Sequence, residues 1–198
     1  MTTPLNTITI NLETKPARSC GGCTACCKLL PVRELQKPAN TKCRHQTFAK
    51  GCGVYHKPGM PPSCMLWTCR WLINNDTGHM SRPDRSHYVI DIMPDYIKVT
   101  REPGAEPVSV EVVQIWCDPR YPDAHRDPDL RAYLARRGEE GIAGLVRYSA
   151  LDGFTIIPPA MMDNGQWFEH HSTSVPEKTH SARDVLSNLA KARRVILG

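Results

Sequence analysis

Apolar and polar residues alternate in the second half of the chain. Tyr88-Val89-Ile90-Asp91-Ile92 and Tyr96-Ile97-Lys98-Val99 have the two-residue period of half-buried strands, and Met93-Pro94-Asp95 is placed to join them as a turn. Val108 to Trp116 predicts a further strand. The period then changes. Leu130, Tyr133 and Leu134 recur at helical spacing behind Asp127-Pro128, an N-cap residue with proline at the first helical position, and Gly138 is the expected stop. Leu145 to Tyr148 and Phe154 to Ile157 predict closing strands around Asp152-Gly153. At the ends, Ile8 to Leu12 predicts a short strand. Ser181-Ala182-Arg183-Asp184 resembles a capping box that opens an amphipathic helix, with Leu186, Leu189 and Ala190 facing inward.

Residues 18–73 are mostly loop in this reading, with a helical turn from Cys23 to Leu30 and a short helix from Cys64 to Ile73. The expected organisation is an N-terminal strand and linker (1–17), a cysteine-cluster metal-binding module (18–73), and an α+β body with a C-terminal helix (74–198). The expected fold class is α+β: a loop-rich cysteine metal module packed on a small, mostly antiparallel sheet with two or three helices.

The chemistry is concentrated in the module. Of nine cysteines, Cys20, Cys23, Cys26, Cys27, Cys43, Cys52, Cys64 and Cys69 lie together, and only Cys117 stands apart, at the end of an apolar run that suits a buried small hydrophobe. Disulfides and metal sites both use such density. The first residues show no charged start followed by an apolar stretch, so a reducing cytoplasm and metal ligation are expected. Cys20-Gly21-Gly22-Cys23 and Cys23-Thr24-Ala25-Cys26 are consecutive C-x2-C steps, in which a tight turn aims two thiolates at one point. Neighbouring side chains diverge, so Cys26 and Cys27 imply two sites, one polynuclear cluster, or one site plus a spare thiol. His45 could replace one sulfur.

The order C-x2-C-x2-C-C, then Cys43-Arg44-His45, Gly51-Cys52-Gly53-Val54-Tyr55 and Cys64-Met65-Leu66-Trp67-Thr68-Cys69, resembles the YkgJ-type cysteine cluster family, described as a zinc- or iron-chelating, Fe–S-cluster-containing domain. The stretch before Cys64 lacks the family's Arg-Pro. The resemblance implies metal binding and little else. The expected ligands are Cys20, Cys23, Cys26, Cys27, Cys43, His45, Cys52, Cys64 and Cys69, the expected cofactor is an iron–sulfur cluster (4Fe–4S among the options) or zinc, and the expected role is accessory or electron transfer. A related pattern in flagellin lysine methylases leaves a cluster-dependent group-transfer enzyme open. A zinc-stabilised interaction module is the other alternative. The thiols fit neither the ferredoxin run C-x2-C-x2-C-x3-C-P nor separated zinc pairs.

The net charge of +5 is mild for 198 residues, and no long basic run is present, so a nucleic-acid partner is not expected. No apolar run approaches the length of a membrane helix. The expected partners are metal ions and a protein. Asp118, Asp123, His125 and Asp127 form a local acid–imidazole group, and His170-His171 lie beside Glu169. Both suit loops and surface charge better than acid–base catalysis. No nucleophile elbow or phosphate loop is visible.

Overall fold

The computed structural model describes residues 18–100, 104 and 106–171; the strand expected at 8–12 and the helix expected from 181 lie outside them. Among the described residues are five α-helices: α1 (Ala25–Leu29), α2 (Pro62–Leu66), α3 (Arg70–Ile73), α4 (Pro83–Ser86) and α5 (Pro128–Glu139). The strands are β1 (Gln46–Thr47), β2 (Gly51–Cys52), β3 (Tyr88–Ile90), β4 (Asp95–Val99), β5 (Val108–Cys117), β6 (Ala143–Arg147), β7 (Gly153–Ile157) and β8 (Phe168–His170). The protein is α+β, with a two-stranded antiparallel hairpin (β1–β2) and an open, mixed six-stranded sheet.

β5 organises the larger sheet. One edge pairs in parallel with β6, and α5 is the crossover that parallel neighbours require. β6–β7 and β7–β8 continue antiparallel. The other edge of β5 takes β3 and β4 in series, both antiparallel. The two expected strands around Met93-Pro94-Asp95 therefore form, but do not pair with each other. From Ile90 to Asp95 the chain takes five steps while β5 takes three, from Ile115 to Val112. The two extra residues are a bulge. Pro94 has no N–H for the ladder, and Met93 N donates instead to the Asp91 side chain (2.8 Å). The chain thus bends and continues along β5 instead of reversing.

Strand alternation sorts the core. Tyr88, Ile90, Val113, Ile115 and Cys117 face Leu130, Tyr133 and Leu134 of α5, with Val146, Phe154 and Ile156. Val89 and Trp116 face the other way, onto Ala25, Leu29 and Cys69. One face of the sheet is thus covered by the crossover helix, and one end of the opposite face carries the cysteine-rich segment. Asp127 caps α5 by accepting from Asp129 N (2.9 Å), as expected. Gly138 is not the stop. It lies inside α5 against Pro158, where a Cβ would collide with the ring, and the positive φ (+78°) falls at Gly141.

Candidate metal centre

The C-x2-C step closes a tight turn, with Cys23 N donating to Cys20 O (2.8 Å). Its glycines serve close approach. A Cβ on Gly22 would collide with the Ala49 carbonyl, and one on Gly51, whose φ is +87°, with the Gly21 carbonyl. The turn therefore sits directly on the β1–β2 hairpin, which carries Cys52. α1 begins at Ala25 and carries Cys26 and Cys27 on its first turn. Cys43 N donates to Cys27 O (3.1 Å), bringing the next thiol beside them.

The expected helix from Cys64 to Ile73 is two short helices with an extended break at Trp67-Thr68-Cys69. Cys64 lies in α2, which is fastened where Ser63 N and Oγ donate to the Glu34 carboxylate (2.9 and 2.7 Å). Cys69 precedes α3 and bridges to Asp91 at the bulge. The break is what lets Cys64 and Cys69 serve different surroundings.

All nine cysteines are free thiols. Their electrostatic influence on one another divides the eight of the module into two sets. Cys69 feels Cys20 and Cys23, Cys23 feels Cys20, and Cys26 feels Cys69 and Cys23. Cys64 feels Cys27, Cys43 and Cys52, and Cys52 feels Cys27 and Cys43. Cys20, Cys23, Cys26 and Cys69 thus make one set, and Cys27, Cys43, Cys52 and Cys64 the other. The sets meet at the Cys26–Cys27 thiol contact and through Cys20 and Cys27.

Burial pushes the Cys23 and Cys69 thiols up to about 11, and raises Cys20, Cys52 and Cys64. Cys26 rises because it shares a hydrogen bond with Cys27, which falls to about 7 as hydrogen bonds from Cys26 and Cys52 outweigh its burial. Crowded thiols resist ionising together. A bound cation would reverse that, because ligation requires thiolate and releases the proton.

His45 lies beside β1, where its ring accepts from Arg44 Nε (3.4 Å) and its carbonyl from Gly53 N (2.8 Å). Among the described residues, no three His, Cys, Asp or Glu side chains converge as a metal-holding group. The donor type, reduced sulfur, is the one a thiophilic metal takes, although the thiols as placed do not converge on one point.

Three neighbours of the thiols have no role assigned from the sequence. Lys37 is buried, with Nζ donating to the carbonyls of Lys28 (3.2 Å), Leu30 and Pro38 (3.1 Å). Its charge acts on Cys27, Cys43, Cys26 and Cys64. The Tyr55 hydroxyl hydrogen-bonds Cys20. Asp84, paired with Arg82 (2.6 Å), hydrogen-bonds Cys23. Lys37 and Asp84 belong to no spacing motif and are brought in by loops; Tyr55 ends the Gly51-Cys52-Gly53-Val54-Tyr55 step, but the spacing does not say which thiol it meets.

The other polar groups do not form one site. Asp118 pairs with Lys28 and Arg120, Asp123 with Arg126 (3.2 Å), and Asp127 caps α5. His125 is buried, with Nδ1 on Pro122 O (2.7 Å) and Nε2 3.9 Å from Glu169. The His171 ring stacks on Phe154 at 4.3 Å.

Comparison with protein-family models, with curated proteins and with solved structures finds no match. No helix among the described residues is long and apolar enough to cross a membrane.

Proposed function

We propose that this chain is a cytoplasmic metal-binding protein that holds an iron–sulfur cluster, zinc, or one of each on the cysteines between Cys20 and Cys69. The observation that carries this reading is the placing of eight free thiols on adjoining turns: the Cys20–Cys23 turn sits on the hairpin that carries Cys52, and Cys43 N donates to Cys27 O beside Cys26. Four thiolates complete a tetrahedral zinc site and also the ligand set of a 4Fe–4S cluster. Lys37, buried beside Cys27, Cys43 and Cys64, offsets the negative charge such a centre carries. The YkgJ-type cysteine order supports the same reading, and the role is accessory or electron transfer.

Metal and acid-labile sulfide analysis of anaerobically purified protein, with an absorption spectrum, tests this. Iron with sulfide and broad visible absorption identifies a cluster; zinc alone in a colourless protein identifies a structural site. A protein free of both metals, with all its thiols titratable, overturns the reading.

A further inference from the structure

The mild net charge conceals a strong asymmetry. Residues 18–73 contain nine Lys and Arg but one carboxylate, Glu34, so with its thiols protonated this segment carries a formal +8 while the rest of the chain carries −3. Metal-bound thiolates would lower the first figure but leave the exposed cations unpaired by any carboxylate of the segment but Glu34. From Glu34 to Asp76 there is no other acidic residue. Several of these cations are used internally: Lys28 on Asp118, Lys37 on its carbonyls, Arg70 on the Asp91 carbonyl (2.9 Å). Lys42, Arg44, Lys50 and Lys57 are exposed, and no ion pair involves them among the described residues.

Lys50 lies in the β1–β2 turn, Arg44 and Lys57 lie at the hairpin's base, and Lys42 precedes it in the chain. Phe48 stands at the hairpin tip with 84% of its surface exposed, beside Lys50, whose N donates to Thr47 O (3.1 Å) to close the turn. Gly53 N donates to His45 O, which places Arg44 opposite the Val54-Tyr55 segment. Lys57 Nζ reaches back to Gly53 O (3.2 Å). The partly exposed Tyr55 ring packs on His56 at 4.0 Å. Phe48 is the most exposed large hydrophobic side chain among the described residues, and covering it would gain the free energy of burying an aromatic ring. With Lys50 in the same turn and Arg44 and Lys57 at the base of the hairpin, none of them in an ion pair among the described residues, the cover that suits this ring is anionic.

We propose that this hairpin face binds single-stranded nucleic acid, with a base stacked on Phe48 and the phosphates on Lys42, Arg44, Lys50 and Lys57. Aromatic rings interleaved with cations are how sequence-tolerant single-strand binders work: stacking needs only a base's π face, and the cations follow the backbone. A duplex keeps its bases stacked inside and offers Phe48 no partner. An acidic protein would satisfy the lysines but does not call for a lone protruding ring. Cys52 lies on β2, so the surface is mounted on the proposed metal module, but the binding chemistry is indifferent to which metal is held.

The test is fluorescence anisotropy of full-length protein, as purified and with its metal content measured, against labelled oligo(dT) and oligo(U) of about 20 nucleotides, a duplex of the same length, and polyglutamate. Single strands should bind more tightly than the duplex. With four phosphates neutralised, the slope of log affinity against log salt should be about −3. Phe48→Ala should weaken binding about ten-fold or more at unchanged metal content, and Phe48→Tyr should retain it. Lys50→Glu with Lys57→Glu should flatten the salt slope. No binding of single strands at low salt overturns the proposal. So does Phe48→Ala binding like the parent, or polyglutamate competing as well as oligo(dT), which would indicate an acidic protein or any polyanion. Metal content is read separately, so failure here leaves the metal reading standing, and the reverse.

Discussion

Trp67 donates its indole N–H to Asp91 Oδ1 at 2.7 Å, and this bond joins the cysteine segment to the bulge in the sheet. The same oxygen accepts from Met93 N at 2.8 Å. Burial pushes the Asp91 carboxyl up to about 6, against the pull of these donors. Each donor left without a partner costs about 1–3 kcal/mol, so Asp91→Ala should destabilise the protein by roughly 2–4 kcal/mol. Asp91→Asn keeps a carbonyl oxygen for both donors and removes a buried charge, so it should cost much less. Urea unfolding monitored by tryptophan fluorescence distinguishes them; equal losses in the two variants would show that the accepting oxygen is not what matters.

Asp118 makes the second link, from the end of β5 to Lys28 on α1. Burial raises its pKa, but hydrogen bonds from Arg120 and Lys28 outweigh that and hold it at about 2. A carboxyl depressed in the folded state contributes stability above its unfolded pKa of about 3.9 and loses it as pH falls through the folded value. Asp118→Asn should therefore be less stable than the parent at pH 6, with the gap closing between about pH 4 and pH 2. Thermal unfolding across that range is the measurement, and a gap that stays constant into acid would mean the ion pair contributes nothing.

Gly138 offers a test whose sign is opposite to helix propensity. Alanine for glycine inside a helix ordinarily gains about 1 kcal/mol. Here the new methyl would collide with the Pro158 ring, which packs on α5. Overpacking of this kind costs about 1–3 kcal/mol, so Gly138→Ala should lower the melting temperature. A higher one would show that the segment following β7 gives way freely.

Residues whose partners are close in sequence were legible; those whose partners come from distant loops were not. The strand at Val108, the Asp127 cap and the Leu130-Tyr133-Leu134 face follow from periodicity and local hydrogen bonding, and all three form. Gly138 looked like a helix end because a stop and a close contact both favour glycine, and Pro158, twenty residues on, decides between them. The turn at Met93-Pro94-Asp95 became a bulge because β5 is long enough to pair both flanking strands on one edge. In the cysteine segment, spacing identified the thiols. It gave no sign of Lys37 or Asp84, single residues carried there by loops, and marked Tyr55 only as the end of the step from Cys52, not as a neighbour of Cys20. Charge was obscured by averaging: the excess at 18–73 is partly cancelled by the acidic remainder.

Cys26 and Cys27 give the last prediction, which depends on the proposed metal centre. Cys26 is influenced most by Cys27, Cys69 and Cys23, whereas Cys27 is hydrogen-bonded to Cys26 and Cys52 and sits near Lys37. If the two thiols serve separate centres, Cys26→Ser and Cys27→Ser should each lose one metal equivalent or one cluster and keep the other. Cys69→Ser should then match the first variant and Cys64→Ser the second, because those thiols belong to the corresponding sets. Metal stoichiometry with absorption or cobalt-substituted spectra reads this directly. Four variants that all lose the same metal would show instead that the eight sulfurs enclose a single polynuclear centre, with the Cys26–Cys27 contact lying inside it and not between two sites.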